Sequence, residues 1–399
     1  MLQTMYSFGK SGVICKAWHF LAITGMLLIA GCQTDDLKPT EGGKSEGAAA
    51  AAKTPGNGGF YNQTLGAGRV RVGYLGVRRS DHAARQADSE ARDGAALAVS
   101  SLGSDIVKLT MLESAESLPA IETAARSLAS QGIGLLMTTA RGAELSAVQA
   151  AMVGRDVPVI SFETNDVSLP ENVYPFRSSP TDSLLEGSTF ALAEGATHAM
   201  VIAGSQTEVP AAERLAQQIK AFGAKVEPVA LLSGGDVPAR SLASWNKVDL
   251  LIFMSGVKSP GVVLKKADSA KPPRPGRRQV ASTALAASDL VDPKMTGTIV
   301  CRYDQNIEAR LGRRYMATYG LPASTSAAYG FDAMAMAIGL VNAFGDGAFA
   351  AERLRSPSGF SGSLGIFRFE ENGDVRRNCD VFKVAKGSYV FFQKAPPTL

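Results

Sequence analysis

The sequence of 399 residues is poor in the side chains that hold metals, with three His and four Cys. His82 and His198 stand apart from the Cys residues, and no zinc-ligand spacing occurs, so no metal is expected. Net charge is also scarce. Forty-one Lys and Arg against 37 Asp and Glu leave +4, too little to mark a nucleic-acid partner. Catalytic signatures are missing as well. There is no phosphate loop of Gly-Lys-Ser/Thr spacing and no His-Glu-x-x-His. Two Ser-x-x-Lys strings, Ser244 to Lys247 and Ser255 to Lys258, lack the partner motifs of the enzymes that use them. No enzyme and no cofactor is expected. What is present is ordinary: 45% hydrophobic and 20% charged residues, which excludes collagen-like, coiled-coil and wholly disordered chains.

The N-terminus carries a location signal. Lys10 and Lys16 precede an apolar run over 20–30, short of the ~20 residues that span a bilayer but suited to a secretory signal peptide. The run ends in Leu28-Ile29-Ala30-Gly31-Cys32, which resembles the lipobox of bacterial lipoproteins. That resemblance implies cleavage before Cys32 and a lipid anchor on its thiol and amine, with enough acyl chains for stable membrane attachment. Gln33 rather than Asp follows it, which points to the periplasmic face of the outer membrane of a Gram-negative bacterium. Residues 33–67 hold five consecutive Ala and many Gly, with few large apolar side chains, and read as a flexible tether.

From residue 69 onward, short β-branched runs alternate with helical patterns. Strands are expected at 69–77, 106–112, 134–138 and 157–162, with helices at 89–101, 118–130 and 143–153 between them. The pattern restarts with a helix at 182–194 and strands at 198–203, 226–232, 250–254, 279–283 and 297–301. Helices are expected at 210–222, 238–245 and 261–267, then at 307–319 and 327–344. A hairpin is expected between 365–369 and 381–385, around Asn372-Gly373, with a third strand near 389–392. Such alternation argues for an α/β protein of two doubly wound parallel-sheet lobes.

Several strings stand in a telling order: Val157-Pro158-Val159-Ile160-Ser161 with Thr164, Val173-Tyr174-Pro175-Phe176-Arg177, Arg314-Tyr315-Met316, Ala328-Tyr329-Gly330-Phe331-Asp332-Ala333, and Phe360-Ser361-Gly362-Ser363-Leu364-Gly365. In that order the chain resembles the type I periplasmic binding proteins of the leucine/isoleucine/valine receptor family, and also penicillin-binding protein activator lipoproteins of the same fold. The resemblance covers 68–399. It implies a three-segment hinge, with lobe one formed by 68–183 plus 303–343 and lobe two by 184–302 plus 344–399. It also implies a ligand cleft that closes on a small molecule. In the receptor reading the partners are a small molecule such as an amino acid and an ABC permease. In the activator reading the partner is a penicillin-binding protein, and cell-wall synthesis is regulated by contact.

Open α/β sheets bind ligands at the carboxyl ends of their strands, where helix N-termini present free N–H groups. That rule selects Thr139 and Arg141 after one strand, and Phe162, Glu163 and Thr164 after the next. The family resemblance implies that donors at these two turns hold an amino acid's carboxylate. In lobe two the corresponding ends give Ser205, Thr207 and Ser255. Here the chain departs from the receptors, which carry a tyrosine-glycine pair, a further tyrosine and an ammonium-pairing glutamate. This chain has Glu208-Val209-Pro210 and Ser259-Pro260-Gly261 instead. Glu163 and Glu208 are the carboxylates that could substitute.

With Cys15 in the signal peptide and Cys32 lipidated, Cys301 and Cys379 remain, as two buried thiols or as a disulfide in an oxidising compartment. The densest charge is the run Lys265, Lys266, Lys271, Arg274, Arg277 and Arg278, either a solvated loop or a contact for an acidic partner.

Overall fold

A computed structural model describes residues 61–396, except 165–168, 171, 304–306 and 372. The lipobox, Cys32 and most of the tether lie outside the described residues. The first lobe is built on a six-stranded sheet in the order β1-β3-β2-β4-β5-β6. Its strands are β1 (Asn62–Leu65), β2 (Val70–Arg78), β3 (Val107–Ala115), β4 (Leu135–Thr138), β5 (Val159–Thr164) and β6 (Val173–Arg177). All neighbours run parallel except β1, which is antiparallel to β3. The parallel strands are buried on both faces, which is why their sequences read as continuous apolar runs. Helices α1 (His82–Leu102), α2 (Leu118–Ser130) and α3 (Ala143–Met152) cross between them.

Helix α1 begins at Asp81, whose carboxylate accepts from the Ala84 N–H at 2.7 Å. Its small-residue face, with Ala91, Gly94, Ala95 and Ala98, packs against the apolar helix Thr325–Phe344. The two backbones approach so closely that no side chain fits at the crossing. A Cβ on Gly94 would stand 2.0 Å from the Ala327 carbonyl oxygen, and one on Gly330 1.8 Å from that of Ala91.

The second lobe holds β7 (His198–Ala203), β8 (Lys225–Val226), β9 (Ala230–Leu231), β10 (Leu250–Phe253), β11 (Arg278–Ala281) and β12 (Ile299–Arg302). A separate three-stranded sheet follows, β13 (Phe360–Gly362), β14 (Gly365–Phe369) and β15 (Val375–Arg377). Strands β16 (Asp380–Ala385) and β17 (Ser388–Gln393) then complete the second lobe's sheet, in the order β17-β16-β12-β11-β10-β7-β8. Helix α4 (Pro180–Ala193) opens with a capping box, in which Ser179 Oγ accepts from Asp182 N at 3.2 Å and Asp182 accepts from Ser179 N at 2.6 Å. Helix α5 (Val209–Ala221) packs beside it.

Several expectations need correction. The tether does not run to Ala67: Asn62–Leu65 pairs with β3, and its polar sequence takes strand form only through that pairing. The strand expected over 226–232 is interrupted between β8 and β9, at Pro228, which has no N–H to give the ladder. The hairpin across 370–374 joins β14 to β15, and 381–385 lies in the other lobe, antiparallel to β12. The third crossing therefore falls after Arg377 and not at 344. Ala348, Phe349, Leu354, Phe367, Phe369 and Val375 all belong to the core that contains Tyr74, Leu109 and Phe176. The stretch 307–319 is helical but opens with a π turn over Glu308–Gly312.

Cys301 and Cys379 form a disulfide, with Cα atoms 5.6 Å apart, where β12 meets the chain entering β16. Most of the basic run has partners within lobe two. Lys266 pairs with Asp236, Arg274 with Asp249 and Arg277 with Asp268, while Lys271 and Arg278 donate to the carbonyls of Ala243 and Glu194.

Candidate functional site

The carboxyl ends of β2 and β4 carry a buried ion-pair network. Arg79 leaves β2 with its side chain almost wholly buried. It reaches Glu144 Oε1 and Oε2 at 2.7 and 2.8 Å, Glu116 at 3.3 Å, Asp88 at 3.3 Å and the Thr139 carbonyl at 2.7 Å. Arg141 pairs with the other oxygen of Asp88. Burial pushes the Asp88 carboxyl up, against the pull of Arg141 and Arg79. Burial likewise works against the charge of Arg79, but the hydrogen bond and charge of Glu144 outweigh it and hold the guanidinium protonated.

Three backbone N–H groups of the β4 turn are already taken, while Arg141 Nε is buried there without a partner. The Thr139 N–H goes to the Leu75 carbonyl at 3.1 Å, and the Ala140 N–H to Thr138 Oγ1 at 3.0 Å. The Arg141 N–H goes to Glu144 Oε2 at 2.8 Å. Thr139 Oγ1 accepts from the Val77 N–H at 2.9 Å and is fully buried, so this hydroxyl ties β2 to β4. Phe162 is also core: its ring meets Tyr74 at 6.1 Å and Phe176 at 6.4 Å. Glu163, at the end of β5, accepts from the Thr164 N–H at 3.1 Å.

Lobe two repeats the arrangement with one carboxylate. Glu208 Oε2 accepts from the Gly204 N–H at 2.9 Å, and Oε1 from the Gly256 N–H at 2.6 Å and from Ser255 Oγ at 3.3 Å. It thus clips the turns after β7 and β10 together. A Cβ on Gly204 would stand 2.1 Å from the Gly256 carbonyl oxygen, so glycine permits the two turns to touch. Ser205 and Thr207 share a hydroxyl–hydroxyl contact of 2.8 Å at the surface. The sequence reading missed Arg79, Asp88 and Glu144. The one legible signal was Glu144 three residues after Arg141, the spacing of a side chain that reaches back to cap a helix start.

The two lobes meet around a cavity of about 360 Å³ lined by Ser178, Ser282, Thr283, Arg302, Tyr303 and Tyr329, among others. No Asp or Glu lines it. The Ser178 N–H donates to Tyr329 Oη at 3.0 Å, while Ser178 Oγ and Tyr303 Oη are buried without a partner. Burial holds the Tyr303 phenol far above its ordinary range and therefore neutral. Among the described residues no cluster of His, Cys, Asp and Glu fits a metal ion.

No family model matches the chain, and no curated protein matches its sequence. Solved structures match its fold. A branched-chain amino acid ABC transporter from Rhodospirillum rubrum aligns with TM-score 0.62 at 15% identity, over 81% of this chain and 99% of that one. The C-domain of LpoA from Haemophilus influenzae, a regulator of PBP1A, aligns with TM-score 0.57 at 15% identity, over 81% and 99%. A branched chain amino acid ABC transporter periplasmic ligand-binding protein from Burkholderia xenovorans gives 0.55 at 14%, over 82% and 96%. The fold is that of the type I periplasmic binding proteins.

Proposed function

We propose that this chain, a protein of type I periplasmic binding fold, acts by protein contact as a regulator of a penicillin-binding cell-wall synthase, and not as an amino-acid receptor or an enzyme. The observation that carries this reading is the occupation of the strand-end donors by the chain's own carboxylates, Glu144 in lobe one and Glu208 in lobe two. An amino acid would have to displace a carboxylate at either wall. Glu208, one of the two carboxylates that could stand in for the receptors' ammonium partner, is already bound to two backbone donors. An unpaired ammonium in the cleft is costly. The likeness to the LpoA C-domain supports the same reading at the level of fold. Anchored through Cys32 to the periplasmic face of the outer membrane, the body would hang on a tether with a root-mean-square reach of roughly 30 Å. That reach suits a synthase whose domains stand in the periplasm better than a permease in the inner membrane.

The test is the glycan polymerisation rate of the purified synthase of the same organism, with and without the protein. The reading expects a several-fold, saturable change in rate. An unchanged rate at saturating protein would refute it.

A second reading has one observation in its favour. The hinge cavity, with Ser178 Oγ and Tyr303 Oη unpartnered, suits a small polar solute that carries no ammonium group. Transport of such a solute would keep the receptor role with a changed ligand.

A further inference from the structure

The sheet of lobe two ends in β17, and among the described residues no strand covers its outer edge. That edge is apolar. Val390, Phe391 and Phe392 are 45%, 55% and 47% exposed and consecutive, whereas exposed apolar residues such as Leu118, Val153 and Leu321 stand singly. The three are not loose. Tyr389 fixes the strand by donating to the Thr283 carbonyl at 3.1 Å. Phe391 stands edge-on to Phe382 at 5.6 Å, and Phe392 edge-on to Phe190 at 5.9 Å. Lys383 Nζ lies 3.3 Å over the Phe392 ring. A bulge opposite Val381 and Phe382 bends the far end of the strand and leaves 388–391 as its regular part. An ordered apolar edge with unpaired N–H and C=O groups is a template for another strand.

The charge around it decides what that strand can be. Lys386 and Lys394 flank β17 and are exposed, and neither has an acidic partner among the described residues. The nearest carboxylate in sequence, Asp380, accepts from the Ala395 N–H at 2.8 Å. A second copy of the chain, paired antiparallel about Val390 and Phe391, would set each Lys394 beside the other copy's Lys386. Like charges that close oppose such a dimer. A strand with acids at its ends would meet both lysines favourably.

We infer that the outer edge of β17 is a docking site for an extended, acid-flanked segment of a partner protein, which adds a strand to the sheet of lobe two. Main-chain hydrogen bonds supply the register, Val390, Phe391 and Phe392 bury the segment's apolar side chains, and Lys386 and Lys394 select its acidic ends. The inference rests on the reading of this chain as a protein-contact regulator and gives that contact a place.

The test uses the full chain in detergent and a fluorescein-labelled peptide of alternating Val and Thr with Glu at both ends, followed by anisotropy. Saturable binding is expected. Phe391→Lys should weaken it by ~10-fold or more while lowering the melting temperature by no more than ~2 °C, since the ring is half exposed and loses only its edge contact with Phe382. N-methylation of alternate peptide amides should abolish binding, and Lys at both peptide ends should weaken it. No binding, or binding indifferent to Phe391→Lys and to N-methylation, would overturn the inference. So would a concentration-dependent dimer that Phe391→Lys disperses, which would give the edge to a second copy. If free amino acids stabilise the protein while the peptide still binds as expected, the cleft reading fails and the docking edge stands.

Discussion

Replacing Glu208 by Ala removes the carboxylate that clips the turns after β7 and β10, and it leaves the Gly204 and Gly256 N–H groups and Ser255 Oγ without their acceptor. A buried hydrogen bond to a charged group is worth ~1.5–3 kcal/mol. Water reaches these half-exposed turns and replaces part of each bond, so the expected loss is about 1–2 kcal/mol in total. For a body of this size that lowers the melting temperature by ~1.5–3 °C. The variant also gains a gap shaped for a small carboxylate between two backbone donors. Acetate, compared with chloride at equal ionic strength, should therefore restore most of the lost melting temperature in Glu208→Ala and leave the wild type unmoved. Thermal denaturation followed by circular dichroism reads both effects. A variant as stable as the wild type, or an acetate effect equal in the two proteins, would refute the idea that Glu208 stands where a ligand's carboxylate would.

Arg79→Met should cost ~3–5 kcal/mol in urea unfolding, because it removes the guanidinium that Glu144 and Asp88 share and leaves Asp88 to Arg141 alone. Cys301→Ser together with Cys379→Ser opens a loop of sequence separation 78, and the loss of chain constraint should lower stability by about 2–4 kcal/mol, measured the same way without reductant. Acid stability is set in part by Asp268. Burial pushes its carboxyl up, but hydrogen bonds from Lys294, Trp245 and Arg277 outweigh burial and hold it below the ordinary range. A depressed native pKa stabilises above about pH 4 and loses that contribution as pH falls through the native value. Asp268→Asn should therefore flatten the acid limb of the stability profile; an unchanged slope below about pH 4 would count against the assignment.

The fold was largely legible because buried parallel strands and crossing helices carry strong local patterns. The helix Leu118–Ser130 and the strand His198–Ala203 fall where periodicity puts them. What escaped depends on distant partners. Asn62–Leu65 has no apolar alternation and is a strand only beside β3. The third crossing was misplaced because β13 to β15 carry strand patterns that do not reveal which core they cover. The cleft was less legible still. Phe162 shares parity with Ile160, and both face the core of Tyr74 and Phe176. The pair of Arg79 and Glu144 joins positions 65 residues apart, and the basic run meets its acids only after folding. Residue type pointed to these turns, but only the structure reveals that several of their backbone donors are held by the chain's own groups.

The most direct test is the melting temperature of the wild-type protein across a panel of free amino acids at millimolar concentration. A ligand that binds the native state raises stability by RT ln(1 + [L]/Kd). With Glu144 and Glu208 holding the strand-end donors, no member of the panel should move the melting temperature. A saturable rise of several degrees with any one of them would contradict the account.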